Sequence, residues 1–191
     1  MKVLMFYASP WHNGNISAML DCIAEEMIER GWTVDVEYVD GLDVHPCVGC
    51  MKCRADKECC LGSDDAHRIA GKLGEYDLYV IGAPCYWGNM PGALKVLFDR
   101  MVYAMVDTET GKLLPVPLLK GKRAIIVTAS ATPSPFNRWF GQTSGVVKSL
   151  KSIFRQCGVK VIGTYQKGDT RKSPEPTEKD LRKVLKLLPK K

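Results

Sequence analysis

The segment of the chain richest in reactive side chains is a run of cysteines. Cys47, Cys50 and Cys53 are each separated by two residues, and Cys59 follows after five more. Such short spacings let thiolates converge on one small volume, as the ligands of iron-sulfur clusters do. Structural zinc sites use thiolates too, but usually place them in two separated pairs. The spacing therefore favours a [4Fe-4S] cluster over zinc on these four cysteines, with Cys60 as an alternative fourth ligand.

The composition indicates where such a site would work. The chain has eight cysteines, and a short apolar run follows Lys2 in place of a signal peptide. No apolar run reaches membrane-spanning length. We therefore expect a cytoplasmic protein with no membrane segment, in which thiols stay reduced and available for metal or cofactor chemistry. Cys22 and Cys157 lie in helical patterns and are expected in the core.

The length of the chain and the distribution of its charge indicate its domain organisation and its partners. A chain of 191 residues with 46% apolar content can bury one good core, so we expect a single domain over residues 1–191, with a cysteine-rich loop at 46–63. The net charge of +6 collects on a predicted helix at 177–189, where apolar residues such as Leu181 and Leu185 share one face. This amphipathic pattern carries no nucleic-acid recognition motif, and we expect no nucleic-acid partner.

The elements that must position the cysteines alternate along the chain. Apolar runs predict strands at 3–8, 78–82, 124–129 and 159–164, and alternating apolar residues predict another at 34–38. Helical patterns lie at 16–31, 65–73, 92–105, 143–157 and 177–189. This alternation predicts a doubly wound, flavodoxin-like α/β fold with five parallel strands in the order 2-1-3-4-5. Two longer connections, 106–122 and 132–142, are candidate functional loops.

The loop after the first strand has the composition of a phosphate site. Residues 9–17 supply hydroxyl and amide groups and a flexible Gly14 just before a helix. Backbone N–H groups at a helix N-terminus bind phosphate well. The segment lacks the P-loop and dinucleotide-binding spacings, which favours a mononucleotide phosphate. The alternative is a simple helix cap by Asn15.

The loop after the third strand is suited to a planar ring. Residues 83–92 combine a proline turn with Tyr86, Trp87 and Gly88. Aromatic faces and loop amides can enclose a ring such as an isoalloxazine and bond to its polar edge. The alternative is that Tyr86 and Trp87 pack against a neighbouring subunit.

Three segments together resemble a known family. They are Gly14-Asn15-Ile16-Ser17; residues 46–53 leading to Asp64-Asp65; and residues 84–92 running to Lys95 and Asp99-Arg100. This combination resembles the NADPH-dependent FMN reductase family and, within it, the iron-sulfur flavoproteins. The resemblance implies a flavodoxin-like fold with FMN and a [4Fe-4S] cluster. It also implies a homodimer or homotetramer in which the cluster of one subunit lies near the flavin of another.

The resemblance also implies the cofactor-binding residues. The phosphate would contact Ser9, Asn15, Ile16 and Ser17, with His12 added for its place in the loop; the flavin ring would meet Pro84, Cys85, Tyr86, Trp87, Gly88 and Asn89, with Thr128, Ala129 and Ser130 on its other side. Cys85 is expected to be a small packing residue rather than a catalytic thiol. Trp11 stands where an arginine is usual in the family.

The predicted function is that of an FMN-dependent oxidoreductase passing electrons between a flavin and a cluster. The chemistry would be flavin-centred, with ferredoxin or NAD(P)H as electron donor. One alternative is an NAD(P)H-dependent FMN or quinone reductase whose cysteines are empty or hold zinc. Others are a non-enzymatic carrier that exchanges electrons with ferredoxin, and a structural zinc module.

Overall fold

The fold is built from short strands and helices that alternate along the chain. It is seen in a computed structural model that describes residues 1–108 and 115–190. The strands are β1 (Lys2–Tyr7), β2 (Thr33–Tyr38), β3 (Leu78–Pro84), β4 (Val106–Asp107), β5 (Val116–Pro117), β6 (Arg123–Ala129) and β7 (Lys160–Lys167). The helices are α1 (Asn15–Glu29), α2 (Cys53–Asp56), α3 (Asp65–Ala70), α4 (Gly92–Arg100), α5 (Val102–Met105), α6 (Phe136–Trp139), α7 (Gln142–Cys157) and α8 (Glu178–Leu185), with 3₁₀ turns at Val39–Gly41 and Leu73–Glu75.

Five of the strands form one parallel sheet. Its order is β2-β1-β3-β6-β7, while β4 and β5 pair separately as an antiparallel ribbon. Numbered along the chain, the five parallel strands follow the order 2-1-3-4-5, which confirms the predicted fold. Residues 78–83 of β3 are buried throughout, because helices cover both faces of a sheet of this kind.

The two faces of the sheet carry separate cores. On β1, Leu4 and Phe6 pack on one side with residues of α3, α4 and α7. Val3 and Met5 point to the other side and pack with residues of α1 and α8. This alternation follows from the two-residue period of a strand. The doubly wound arrangement brings the loops after β1, β3 and β6 to the same edge of the sheet.

Three helices differ from the sequence prediction in their limits. The helix predicted over 92–105 is divided into α4 and α5 by Met101, whose ψ of 4° leaves the helical range. The helix predicted over 65–73 ends at Ala70, and the terminal helix spans Glu178–Leu185 because Thr177 caps it with a hydrogen bond from Asp180 N. Positions 109–114 of the predicted 106–122 loop, and position 191, lie outside the described residues. Within the described ranges, no helix is both long and apolar enough to cross a membrane.

Candidate cofactor sites

A cleft of about 190 Å³ opens at the carboxyl ends of β1, β3 and β6. Its lining comes from four separate loops and comprises Ser9, Trp11, Gly14, Asn15, Ile16, Pro84, Tyr86, Ala129, Thr170 and Pro174. Ligands of open α/β sheets bind beyond the carboxyl ends of the strands, where these loops meet. The position of this cleft is therefore the one predicted from the sequence.

The amino terminus of α1 faces this cleft without a side-chain cap. Gly14 is the N-cap residue, no side chain bonds to the free N–H groups, and the first turn has no acidic residue. The loop before it is fixed by the Trp11 carbonyl, which accepts from Gly14 N and Ser17 Oγ, each at 3.2 Å. Uncapped N–H groups and the positive end of the helix dipole favour an anion here. The alternative interpretation, a simple cap by Asn15, is wrong because Asn15 is the first helical residue.

Asn15 instead ties a distant segment to the cleft. Its Nδ2 donates to the carbonyls of Ser173 and Pro174 at 3.2 and 2.6 Å, while its buried Oδ1 has no hydrogen-bond partner. Buried polar atoms are normally paired, so Oδ1 has the character of a ligand contact. The two hydrogen bonds from Asn15 hold this segment against α1, and two of its residues, Thr170 and Pro174, border the cleft. Sequence reasoning missed these two residues, since they lie far along the chain in a segment without a motif.

The loop after β3, which is predicted to bind a planar ring and is called the ring-binding loop below, forms a tight turn. Tyr86 and Asn89 exchange two backbone hydrogen bonds of 2.9 Å, and Trp87 and Gly88 between them have φ values of 53° and 73°. Two positive φ angles define a type I′ turn, which suits glycine and is sterically costly for tryptophan. The side chain of Trp87 is fully exposed. The turn therefore displays an aromatic ring beside the cleft at a conformational cost.

Helix α7 holds this turn in place through a backbone contact. A Cβ added at Gly145 would lie 1.8 Å from the carbonyl oxygen of Gly88, so only glycine allows this approach. Beside it, the Cys85 thiol donates to Gln142 Oε1 at 3.5 Å. Burial raises the pKa of Cys85, which keeps the thiol protonated and unreactive.

The remaining predicted cofactor residues border the cleft or lie away from it. The hydroxyl groups of Thr128 and Ser130, next to Ala129, are buried without hydrogen-bond partners. His12 lies outside the lining, because its Nε2 pairs with Asp40 at 2.9 Å and its ring stacks on Tyr38. A phosphate contact by His12 stays a prediction.

The predicted cysteines surround a second cavity, of about 130 Å³. It is formed by the cysteine-rich loop and the adjoining ends of α4 and α5, and its lining comprises Cys47, Val48, Gly49, Cys50, Met51, Cys53, Arg54, Cys59, Cys60, Leu61, Asp99, Arg100, Val102 and Thr108. Cysteines separated by two and five residues thus meet around one volume, together with Cys60. A compact, thiol-lined cavity has the donor set that a [4Fe-4S] cluster uses.

The thiols of this cavity influence one another. Burial raises the pKa of Cys53, and the neighbouring sulfurs of Cys59, Cys47 and Cys50 raise it further. The sulfurs of Cys50 and Cys60 lie 3.4 Å apart. In the part of the chain that the structure describes, no three His, Cys, Asp or Glu side chains converge on a single metal ion. The thiolates of a four-iron cluster each bind a different iron, so a cluster does not require that convergence.

A buried polar network anchors the cysteine loop to the fold. Arg100 Nη1 donates to the His45 carbonyl and pairs with Asp64 Oδ2, both at 2.7 Å. Asp64 caps α3 by accepting from Ala66 N and His67 N. His67 Nε2 then donates to the Cys59 carbonyl at 3.0 Å, a bond that raises the pKa of His67 together with the Asp64 carboxylate. These contacts fix both ends of the loop and leave its middle exposed.

Helix α4 connects the two sites. It begins at Gly92, directly after the ring-binding loop, and ends at Arg100 in the cysteine cavity. A helix of nine residues is about 13 Å long. One rigid element therefore sets the spacing between the cleft and the thiols.

The parallel sheet in the order 2-1-3-4-5, with an open cleft at the carboxyl ends of its strands, defines a flavodoxin-like protein. More specifically, the chain belongs to the NADPH-dependent FMN reductase family, whose sequence profile matches residues 1–168. The family predicted from the three sequence segments is thereby confirmed.

Individual relatives support the predicted subgroup. The chain is 35% identical over 102 residues to an iron-sulfur flavoprotein of Methanosarcina thermophila, a match that covers 53% of each chain. It is 27% identical over 192 residues to an iron-sulfur flavoprotein of Archaeoglobus fulgidus, covering 98% of this chain and 77% of the relative. The first of these matches therefore spans only about half of the relative's length.

A solved structure shows the same fold. The FMN complex of an FMN-dependent NADH-azoreductase from Bacillus anthracis superposes with a TM-score of 0.70 at 18% identity, covering 97% of this chain and 95% of that chain. At this identity the likeness concerns the fold alone.

Proposed function

We propose that the protein is an FMN-dependent oxidoreductase that passes electrons between a flavin in the cleft and a [4Fe-4S] cluster on Cys47, Cys50, Cys53 and Cys59. The observation that carries the proposal is the pair of cavities at the two ends of α4, one of which is lined by all four of these cysteines. Bound FMN supplies two-electron or stepwise one-electron chemistry, and a cluster supplies one-electron chemistry, so the pair would link hydride donors to single-electron acceptors.

The residues of the cleft fit FMN. The uncapped N-terminus of α1 would hold the phosphate, and the unpaired Oδ1 of Asn15 would accept a hydrogen bond from a hydroxyl group of the ligand. The turn at Tyr86–Asn89 and the residues after β6 would enclose the ring, where the unpaired hydroxyl groups of Thr128 and Ser130 are available for hydrogen bonds. The protein would bind, orient and tune the flavin, and no side chain is needed as a general base.

Exposed aromatic residues favour a homo-oligomer. Trp11, Trp87, Trp139 and Phe140 are each more than 70% exposed. An apolar surface of this kind is usually covered by a partner or a ligand. We propose a homodimer or homotetramer in which such a surface is covered and the cluster of one subunit lies near the flavin of another.

The second candidate function is an NAD(P)H-dependent FMN or quinone reductase without a cluster. Membership of the NADPH-dependent FMN reductase family favours it, because that family is named for this activity. The cysteine cavity would then be empty or hold zinc. A non-enzymatic carrier exchanging electrons with ferredoxin differs from both in not turning over with NAD(P)H.

Electron delivery by protein with and without the cysteine site tests the proposal. Anaerobic wild type and Cys50→Ala protein, both loaded with FMN, are mixed with NADPH or reduced ferredoxin, and reduction of a one-electron acceptor is followed. We expect the variant to keep flavin reduction but to deliver single electrons at least about tenfold more slowly, a difference of about 1.4 kcal/mol in barrier height. Equal rates from both proteins would favour the cluster-free reductase. Response to ferredoxin but not to NADPH would favour the carrier.

A further inference from the structure

Arg100 is buried at the boundary of the cysteine cavity with part of its hydrogen-bonding capacity unused. Its side chain is 0% exposed, and no other arginine among the described residues is buried. Nη1 donates to the His45 carbonyl and forms an ion pair with Asp64, but within the described residues Nε and Nη2 have no hydrogen-bond partner. A guanidinium carries five N–H donors, and leaving them unpaired in the interior is costly. Such a group normally has a partner that the remaining contacts do not provide.

The nearest candidate partner is the sulfur of Cys59. Arg100 and Cys59 line the same cavity. The two residues also share one buried network, because Arg100 Nη1 pairs with Asp64, Asp64 contacts His67, and His67 Nε2 donates to the Cys59 carbonyl. The unused N–H groups of Arg100 therefore lie in the part of the cavity where Cys59 is held.

Cys59 and Cys60 differ in how they are held. The backbone of Cys59 is fixed by the hydrogen bond from His67 Nε2 to its carbonyl. The thiol of Cys60 is exposed and lies beside Cys50 instead. Of the two neighbouring cysteines, Cys59 is therefore the one tied to the network that contains Arg100.

We propose that the unused N–H groups of Arg100 donate to the Cys59 thiolate, which makes Arg100 a positioning residue that selects Cys59 over Cys60 as fourth cluster ligand and raises the reduction potential of the cluster. This inference rests on the proposed function, since it presumes a cluster on the cysteines. Hydrogen bonds and positive charge near ligating sulfur favour the more negative, reduced state of a cluster.

The first test measures the cluster potential in Arg100 variants. Arg100→Lys keeps the charge and loses the planar fork. Arg100→Gln combined with Asp64→Asn removes both charges, so no carboxylate is left buried and unpaired. Arg182→Gln on α8, across the sheet, is the matched control because Arg182 is exposed and, among the residues that the structure describes, pairs only with Glu178. After anaerobic reconstitution of the full chain, the midpoint potentials of cluster and FMN are titrated by EPR and visible absorption.

We expect the cluster potential to fall in the double variant, to fall less in Arg100→Lys, and to stay unchanged in the control. The FMN potential should stay unchanged in all of them. Cluster-loaded variants with the wild-type potential would overturn this inference and leave the proposed function standing. A wild type that takes up no iron would overturn the proposed function, and this inference with it.

A second test does not depend on folding of the Arg100 variants. Iron and acid-labile sulfide are measured in Cys59→Ser and Cys60→Ser proteins reconstituted side by side. The inference predicts a large loss of iron in Cys59→Ser and wild-type content in Cys60→Ser. The reverse result, or an equal loss in both, would overturn the selection of Cys59.

Discussion

The cleft proposed to bind the flavin and the cysteine cavity are held in shape by different means. The cleft lies where three strands of the central sheet end, and its ring-binding turn is locked by two 2.9 Å hydrogen bonds and by the close approach of Gly145. The cysteine loop contains only the short helix α2, and a few buried contacts made by Arg100 and His67 hold it to the rest of the fold. The central sheet forms the cleft, whereas the cysteine cavity depends on a few contacts between an irregular loop and the rest of the fold.

Both regions contain non-glycine residues with a positive φ angle, but in different settings. In the cleft region Trp87 has a positive φ within a well-defined turn. In the cysteine loop Met51 and Lys57 have φ values of 61° and 57°, although neither is glycine. Such conformations persist when surrounding contacts over-determine them, and they concentrate at functional sites. Lys57 is the C-cap residue of α2, and its Nζ donates to the Arg54 carbonyl and pairs with Asp107, so contacts within the protein stabilise its conformation.

The largest expected effect is on metal content. Cys50→Ala should lose nearly all iron while binding FMN as the wild type does, because the cysteine lies at the opposite end of α4 from the cleft. Cys22→Ala is the matched control, since Cys22 lies on α1 outside both cavities. Iron, sulfide and FMN are measured per chain. Iron and sulfide at wild-type ratios in Cys50→Ala would remove this residue from the ligand set.

The next effect concerns the cleft alone. Gly145→Ala should weaken FMN binding by about tenfold or more, or about 1.4 kcal/mol, because the new methyl group must displace the carbonyl of Gly88 and with it the turn. Gly74→Ala is the control, since nothing lies within 4 Å of a Cβ at that position. Fluorescence titration gives the dissociation constant. An unchanged constant in Gly145→Ala would show that the turn does not contact the flavin.

The free energy of unfolding should depend on pH through Asp180, which holds the segment behind the cleft. Burial would raise the pKa of Asp180, but hydrogen bonds from Tyr165, Thr177 and Lys167 outweigh it and hold the pKa below its usual range. A lowered native pKa stabilises the fold above the unfolded value of about 4, and the stabilisation is lost as the pH falls toward the native value.

Asp180→Asn should therefore lower the free energy of unfolding by about 2 kcal/mol at neutral pH, with the difference shrinking below about pH 4. Denaturant unfolding at several pH values measures it. A difference that stays constant down to pH 2 would contradict the assignment. Iron content should be unaffected, because α8 packs on the face of the sheet opposite α3 and α4.

The smallest effect is a gain in stability. Trp87→Asn should stabilise the FMN-free protein by about 1 kcal/mol, because asparagine tolerates the left-handed conformation better than tryptophan. The same change should weaken FMN binding if Trp87 covers the ring. Denaturant unfolding and flavin titration measure the two effects. Loss of stability in the FMN-free variant would show that Trp87 makes contacts that outweigh its strain.

The sequence predicted which strands and long helices exist more accurately than where each of them ends. Continuous apolar runs identified the central strands, because burial on both faces leaves little freedom in residue type, and the alternation of Val34, Val36 and Tyr38 identified the edge strand β2. The break at Met101 was missed, since an apolar residue there fits a continuous helix as well as an interrupted one. Helix α2 was missed because it is only four residues long and has no buried residue.

At the two sites, some residues were predicted from local motifs and others were found only in the structure. Local motifs placed Asn15, Pro84 and the cysteines, because each motif lies within one loop. Thr170 and Pro174 lie in a segment some 160 residues beyond Asn15 in the chain. They border the cleft because hydrogen bonds from Asn15 hold that segment in place. Likewise, nothing near Arg100 in the sequence shows that its side chain reaches back to His45 and Asp64. Contacts between distant segments are a product of the whole fold.

The most direct test of the two-site account is the cofactor content of protein purified without oxygen. FMN, iron, acid-labile sulfide and zinc are measured per chain, together with the visible spectrum. The account predicts about one FMN and about four irons with matching sulfide per chain, with flavin bands lying on a broad sulfur-to-iron absorption. FMN without iron, or zinc in place of iron, would contradict it and assign the protein to the simple reductases.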